Sequence, residues 1–205
     1  VPTMLAVIGQ YDLEYRVLAA CRNGKVYTVK NGEVSGVVLE MEDPVCGLVA
    51  MERAVYVGTA GSVVHEYHVK GKKQHTLYMP APIACMELLA LRHTSSRALI
   101  VALTNGELRV YNRQTLVDVV QLGDTVSAMR FGPYGREDNV LALAMRSGAL
   151  HIKMTPRAVN LDSGQALTGP PPEQDIPLPV PKASKLALEQ AHRERSIAVE
   201  MHRMF

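Results

Sequence analysis

In 205 residues, 47% of them hydrophobic and 20% charged, the chain has apolar side chains enough for a substantial core, and its composition is neither disordered nor fibrous. A formal net charge of +2 gives no general field for nucleic acid, and the eight Tyr and two Phe fall mostly inside apolar runs rather than on stacking platforms. The longest apolar stretches, 98–103 and 140–145, stop far short of the roughly 18 residues that span a bilayer.

Four times an apolar run breaks at a short turn and resumes: Cys21 to Lys25, Thr59 to Ser62, Thr104 to Glu107 and Arg146 to Ala149. The turn glycines Gly24, Gly61, Gly106 and Gly148 recur close to the roughly 40 to 45 residues of a four-stranded propeller blade. In chain order the first repeat predicts strands over 4–8, 16–21, 25–29 and 34–40. The second predicts 45–51, 54–59, 62–69 and 76–79, the third 83–91, 98–103, 107–111 and 116–122, and the fourth 126–131, 140–145 and 149–154. Asn23-Gly24 and Asn105-Gly106 predict two-residue type I′ turns with positive φ at both central residues. Runs such as Ala98 to Leu103 and Val140 to Met145 are apolar at consecutive positions, which predicts burial on both faces between stacked blades. An open β-sandwich is the competing architecture.

The fourth repeat has no clear last strand. From Pro156 to Pro181 the chain holds seven of its twelve prolines, which excludes a central strand and predicts an extended linker over 156–181. The blades then occupy 1–155 as a partial ring. The opening at Val1 lacks the charged start and cleavage pattern of a signal peptide, so the segment reads as the interior of a longer product whose preceding residues supply the missing strand. Residues 182–205, rich in helix formers and free of Gly and Pro, predict a C-terminal helix with Ile197, Met201 and Phe205 on one face and a Glu189 to Arg193 pair on another.

Candidate chemistry is sparse. His65 and His68, three apart in a strand, point to opposite faces and form no metal pair, and His75, His93 and His151 are scattered over different repeats. Cys21, Cys46 and Cys85 are odd in number and lack CxxC spacing, which reads as buried thiols in a reducing compartment. No nucleophile elbow, phosphate loop or dinucleotide fingerprint is present. The innermost strands, which line a propeller's central channel, offer little beyond Cys46, Cys85, Glu87 and Arg130. The expectation is a noncatalytic segment with no cofactor and no metal. Charge is unevenly spread. The loops joining first to second and third to fourth strands collect Lys30, Arg53, Lys70, Lys72, Lys73, Arg92, Arg97, Arg113 and Arg136 against Glu33, Glu52, Glu137 and Asp138. The other loop face carries Glu42, Asp43, Glu107 and Asp124, so the basic face suits an acidic partner or an anionic membrane surface.

Ala20 to Tyr27, His68 to Lys73, Asn105 to Tyr111, Phe131 to Asn139, Gly169 to Pro172 and Met201 to Arg203 together, in order along essentially the whole chain, closely resemble the family of the first Bardet-Biedl syndrome protein, a BBSome subunit. Of these only Phe131-Gly-Pro-Tyr-Gly-Arg-Glu-Asp-Asn139 is distinctive alone, and the chain departs from ordinary WD40 repeats in having no Trp. The resemblance implies the C-terminal blades of a seven-bladed, N-terminal β-propeller. It further implies a coat-like complex that carries membrane-protein cargo into and out of cilia, recruited to membrane through a GTP-loaded Arf-like small GTPase bound by the propeller. Partners expected on that basis are the GTPase, other BBSome subunits and ciliary cargo, with membrane contact indirect and no nucleic acid. The expected location is the cytoplasm, basal body and cilium. The resemblance suggests docking near ring closure, where Arg146, Lys153 and Arg157 are the partner-binding candidates. The alternatives are a propeller enzyme with its site on absent blades and a scaffold that binds peptides or phosphoinositides.

Overall fold

The central hairpin of every repeat closes on one backbone design. The computed structural model describes residues 1–10, 13–51, 53–91, 96–156, 159, 161 and 185–204. The first meander is β1 (Pro2–Gln10), β2 (Glu14–Cys21), β3 (Lys25–Lys30) and β4 (Glu33–Glu40). The second is β5 (Val45–Ala50), β6 (Ala54–Thr59), β7 (Val63–His68) and β8 (Lys73–Tyr78), and the third β9 (Ile83–Ala90), β10 (Arg97–Leu103), β11 (Glu107–Asn112) and β12 (Thr115–Gln121). The fourth has β13 (Val126–Tyr134), β14 (Glu137–Met145) and β15 (Leu150–Met154). Each is an antiparallel sheet with sequential neighbours paired, and β1, β5, β9 and β13 lie against one another in succession as the inner strands of a propeller. An open sandwich is thereby discarded.

The turns themselves correct the two-residue type I′ expectation. Only Gly24 and Gly106 have positive φ, at 77° and 83°, while Asn23 and Asn105 do not. Each loop has three residues, with a reverse turn followed by one left-handed residue. Gly24 N–H donates to Cys21 O at 3.1 Å, Gly106 N–H to Leu103 O at 3.2 Å and Gly148 N–H to Met145 O at 3.0 Å. In the second blade the left-handed slot belongs not to Gly61 but to Ser62, at φ 62°, whose N–H donates to Thr59 O at 3.2 Å. The asparagines serve as side-chain acceptors two residues on: Asn23 Oδ1 takes Lys25 N–H at 3.2 Å and Asn105 Oδ1 takes Glu107 N–H at 3.0 Å. The slot residue's carbonyl then holds the residue after the fourth strand, through Met41 N–H to Gly24 O, Met79 N–H to Ser62 O and Leu122 N–H to Gly106 O.

Three apolar layers fill the spaces between four blades. Leu18, Ala20, Val26 and Leu39 meet Val55, Val57 and Tyr67 between the first and second. Val49, Tyr56, Val64 and Leu77 meet Leu99, Val101, Leu103 and Tyr111 between the second and third. Ala98, Ile100, Ala102 and Leu108 meet Phe131, Leu141, Leu143 and Met145 between the third and fourth. Successive residues of β10 thus serve different layers, which explains its unbroken apolar run, and each large side chain so buried contributes roughly 1.5–3 kcal/mol. The seam between second and third blades is close because Gly47 and Gly58, opposite one another on β5 and β6, leave room for Met86 Sδ from β9. β14 departs from the expectation of two-sided burial. Leu141, Leu143 and Met145 are buried, but Ala142 is half-buried and Ala144 exposed, because no described blade covers that face.

The distinctive 131–139 segment, expected to be a loop, is hairpin instead. β13 and β14 run on to a Tyr134 to Glu137 pair, with a register break between Gly132 and Tyr134. Pro133 lies in that break, where its missing N–H costs the ladder nothing. Beyond β15, Leu161 is buried in the layer between third and fourth blades, and its carbonyl accepts Asn112 Nδ2–H at 2.9 Å. Most of the proline-rich 156–181 stretch lies outside the described residues. The chain forms two compact units, Val1–Gln165 and Ala166–Phe205. In the second, α1 (Lys185–Met204) is a 20-residue helix exposing Ile197 and Met201, while Phe205 lies outside the described residues. Among the described residues no helix is long and apolar enough to cross a membrane.

Candidate functional site

On the inner strands the groups singled out by sequence do not assemble as a reaction centre. Arg130 Nη1 lies 3.4 Å from Glu87 Oε1, an ion pair in which the Glu87 side chain is mostly buried and the Arg130 side chain mostly exposed. Burial raises the Glu87 carboxyl above its ordinary range, against the opposing pull of Arg130 and a backbone hydrogen bond from Phe131. Burial also raises the Cys46 thiol, and burial together with the Glu87 charge pushes Cys85 up to about 11, so neither presents a thiolate at neutral pH. His65 Nδ1 lies 3.2 Å from Thr76 Oγ1, and the ring sits on the first-blade side of the second sheet, whereas His68 lies on the third-blade side. Among the described residues no group of three His, Cys, Asp or Glu is placed to hold a metal ion.

The basic loop face is built differently. Two depressions open on it, with Arg53 and His68 of the second blade on the wall of both. The smaller, about 450 Å³, lies between the first and second blades beside Glu14, Arg16 and Lys70. Glu14 Oε1 is 2.8 Å from Lys30 Nζ and 3.3 Å from Arg16 Nη2, and those hydrogen bonds hold its carboxyl below the ordinary range. The larger, about 1200 Å³, lies between the second and third blades beside Tyr56, Glu66, Arg97 and Arg113. Its deepest polar groups are Tyr56 and Glu66, paired across β6 and β7 and both buried, with the Tyr56 hydroxyl hydrogen-bonded to the Glu66 carboxylate. Burial, and after it the Glu66 charge, raises the phenol far above its usual range, so Tyr56 stays protonated and donates. The groove was not foreseen as a unit. Its signal was Glu66, an acid at an inward-facing position of an otherwise apolar strand row, and Arg113 in a turn slot that favours Gly or Asn. Arg92 and Glu52 of the same loop face lie outside the described residues.

On the last blade the three partner candidates are separated by the hairpin register. Arg146 is the first residue of the β14–β15 turn, and its N–H donates to Thr125 O at 2.8 Å. Asp124 anchors that turn, accepting from Thr125 N–H at 2.7 Å and from Ser147 N–H at 2.8 Å. The Ser147 and Thr125 hydrogen bonds, with the Arg146 charge, hold the Asp124 carboxyl below its ordinary range. Lys153 pairs with Leu141, five residues up β14 from Arg146, which at strand rise is roughly 17 Å away. Both side chains are exposed, and Arg157 lies outside the described residues. The two outermost sheet faces also leave large apolar groups in solvent: Leu5 and Val7 on the first blade, Leu150, Ile152 and Met154 on the fourth.

No family model matches the chain. It is similar over its full length to BBSome complex member BBS1 of Mus musculus at 39% identity and of Homo sapiens at 38%, and spans 35% of the length of each. Among solved structures it is similar to BBS1N, crystallised in complex with ARL6DN and soaked with mercury, at 45% identity and a TM-score of 0.76, over 79% of this chain and 49% of that one. The computationally designed Ika4 protein, 13% identical with a TM-score of 0.56 over 75% of this chain and 92% of that one, shares the fold alone.

Proposed function

We propose that this chain is a propeller segment of the BBS1 type, a noncatalytic part of a BBSome subunit that binds an Arf-like small GTPase in its GTP state. The supporting observation is its likeness to a propeller crystallised with ARL6DN, at 45% identity and a TM-score of 0.76. On this reading the GTPase recruits the complex to membrane, the protein's own membrane contact is indirect, and the complex carries ciliary membrane-protein cargo at the basal body and cilium. The blades make protein contacts and carry no cofactor. The groups on the inner strands support the noncatalytic reading, since the two thiols are protonated and Glu87 is engaged by Arg130.

The proposed GTPase contact is the last blade with Arg146 and Lys153. Because these lie at opposite ends of one hairpin, they suit a partner that spans the blade's edge rather than a compact ligand. Calorimetric titration of the full natural protein with the GTPase, loaded with GDP or with a nonhydrolysable GTP analogue, tests the reading. Binding confined to the GTP form is expected. Replacing Arg146 and Lys153 together by Glu is expected to weaken it about tenfold or more. Equal affinity for both nucleotide states removes the effector reading, and unchanged affinity in the double variant removes these two residues from the contact.

A further inference from the structure

We propose that the groove between the second and third blades is a docking site for an extended acidic peptide segment, separate from the last-blade surface. Its volume of about 1200 Å³ exceeds the few hundred to 1,000 Å³ usual for a small-molecule pocket, and its donors line the walls rather than converge on one point. Arg53 and Arg113, both exposed, come from opposite walls: one from the β5–β6 loop, the other from the β11–β12 turn. Guanidinium groups so placed suit carboxylates, which they bind in a planar two-bond fork. His68 adds a directed donor. Its Nδ1 accepts Lys70 N–H at 3.1 Å, which leaves the proton on Nε2 of a ring that lines the groove.

The walls are fixed before any ligand arrives. Arg53 O accepts Val69 N–H at 3.2 Å, Met51 N–H donates to Ala54 O at 2.8 Å, and Gly71 N–H donates to His68 O at 2.7 Å, so the two loops that carry Arg53 and His68 are tied together. Arg113 has φ 53°, a left-handed conformation that favours Gly or Asn and is strained for a long side chain. Retaining Arg there sacrifices backbone comfort for a guanidinium at the groove edge. The floor contributes selectivity. Glu66 is buried and engaged by the Tyr56 hydroxyl, so its negative charge turns away an acid that enters too deeply and favours a chain lying along the rim. Arg53 and His68 also border the neighbouring depression, which Lys70 lines as well, so the track continues across the second blade. A concave track of this kind fits a peptide better than a lipid surface, which meets protruding cations.

Fluorescence anisotropy of a labelled oligoglutamate peptide on the full natural protein, with oligoglutamine as its neutral counterpart, tests the proposal. Oligoglutamate is expected to bind, oligoglutamine not, and affinity to fall with added salt. Arg53→Glu is expected to weaken binding about tenfold, whereas Arg22→Glu, the same charge change on the opposite loop face, leaves it unchanged. Arg113→Gly carries the sharpest signature: the melting temperature rises as the left-handed strain is relieved, while peptide affinity falls. A purely structural Arg113 moves only the first of these. No oligoglutamate binding, binding indifferent to Arg53→Glu and Arg113→Gly, or a response confined to phosphatidylserine vesicles overturns the proposal, and none of these results depends on GTPase binding.

Discussion

The second strands of the third and fourth blades are both unbroken apolar runs, yet they end in different environments. β10 carries Ala98-Leu-Ile-Val-Ala-Leu103, all fully buried, and β14 carries Val140-Leu-Ala-Leu-Ala-Met145, where burial lapses at Ala142 and Ala144. The adjoining β15 is exposed along its whole length, with Leu150, Ile152 and Met154 on the uncovered side and His151 and Lys153 on the other. β10 and β14 each pair in register with the strand that follows, so that part of the ladder is indifferent to the difference. What differs is the number of neighbouring sheets and, among the described residues, the fourth strand that the third blade has and the fourth does not. An apolar side chain stabilises a blade only when another blade removes it from water, and propeller stability is therefore shared between repeats rather than held within them.

The largest test of that contrast is truncation at matched chemistry. Leu99→Ala, in the layer between second and third blades, is expected to cost about 3 kcal/mol in urea unfolding, whereas Leu150→Ala stays within about 0.5 kcal/mol. Equal losses break the comparison. A step smaller, Gly58→Ala places a methyl against Met86 Sδ and is expected to cost about 1–3 kcal/mol by overpacking the seam. The penalty should be largely relieved when Met86 is also shortened to Ala, which a double-mutant cycle reads as coupling across the blades. Additive losses place the strain elsewhere.

The smallest effect lies at the junction of the two blades, where two carboxylates titrate in opposite senses. Burial raises Glu87 above its ordinary 4.5, so the folded form keeps a proton that the unfolded chain has lost. Its contribution is fully present below 4.5 and fades as pH rises through the folded value. Hydrogen bonds from Ser147 and Thr125 lower Asp124 below its ordinary 3.8, so its contribution is fully present above 3.8 and is lost as pH falls through the folded value. Melting curves across the acid range should show Glu87→Gln flattening the slope above 4.5 and Asp124→Asn the slope below 3.8. The same slope in both variants contradicts the assignment.

The sequence by itself determined the strands and their grouping into blades. Local chemistry suffices for these: apolar runs of strand length and turn residues between them. It also marked Gly24 and Gly106 as left-handed, which they are, together with Asn23 and Asn105, which are not. Tertiary structure decided that Ser62 takes that slot in the second blade, that Asn23 and Asn105 act through their side chains, and that residues 131–139 close as a hairpin over a bulge at Pro133. It also placed Arg146 and Lys153 at opposite ends of one hairpin and gathered Arg53, His68, Glu66 and Arg113 from separate loops and strands into one groove. The reason is that a turn or a strand answers to its immediate neighbours in the chain. A groove between blades answers to side chains about 60 residues apart, which only the stacking of sheets brings together.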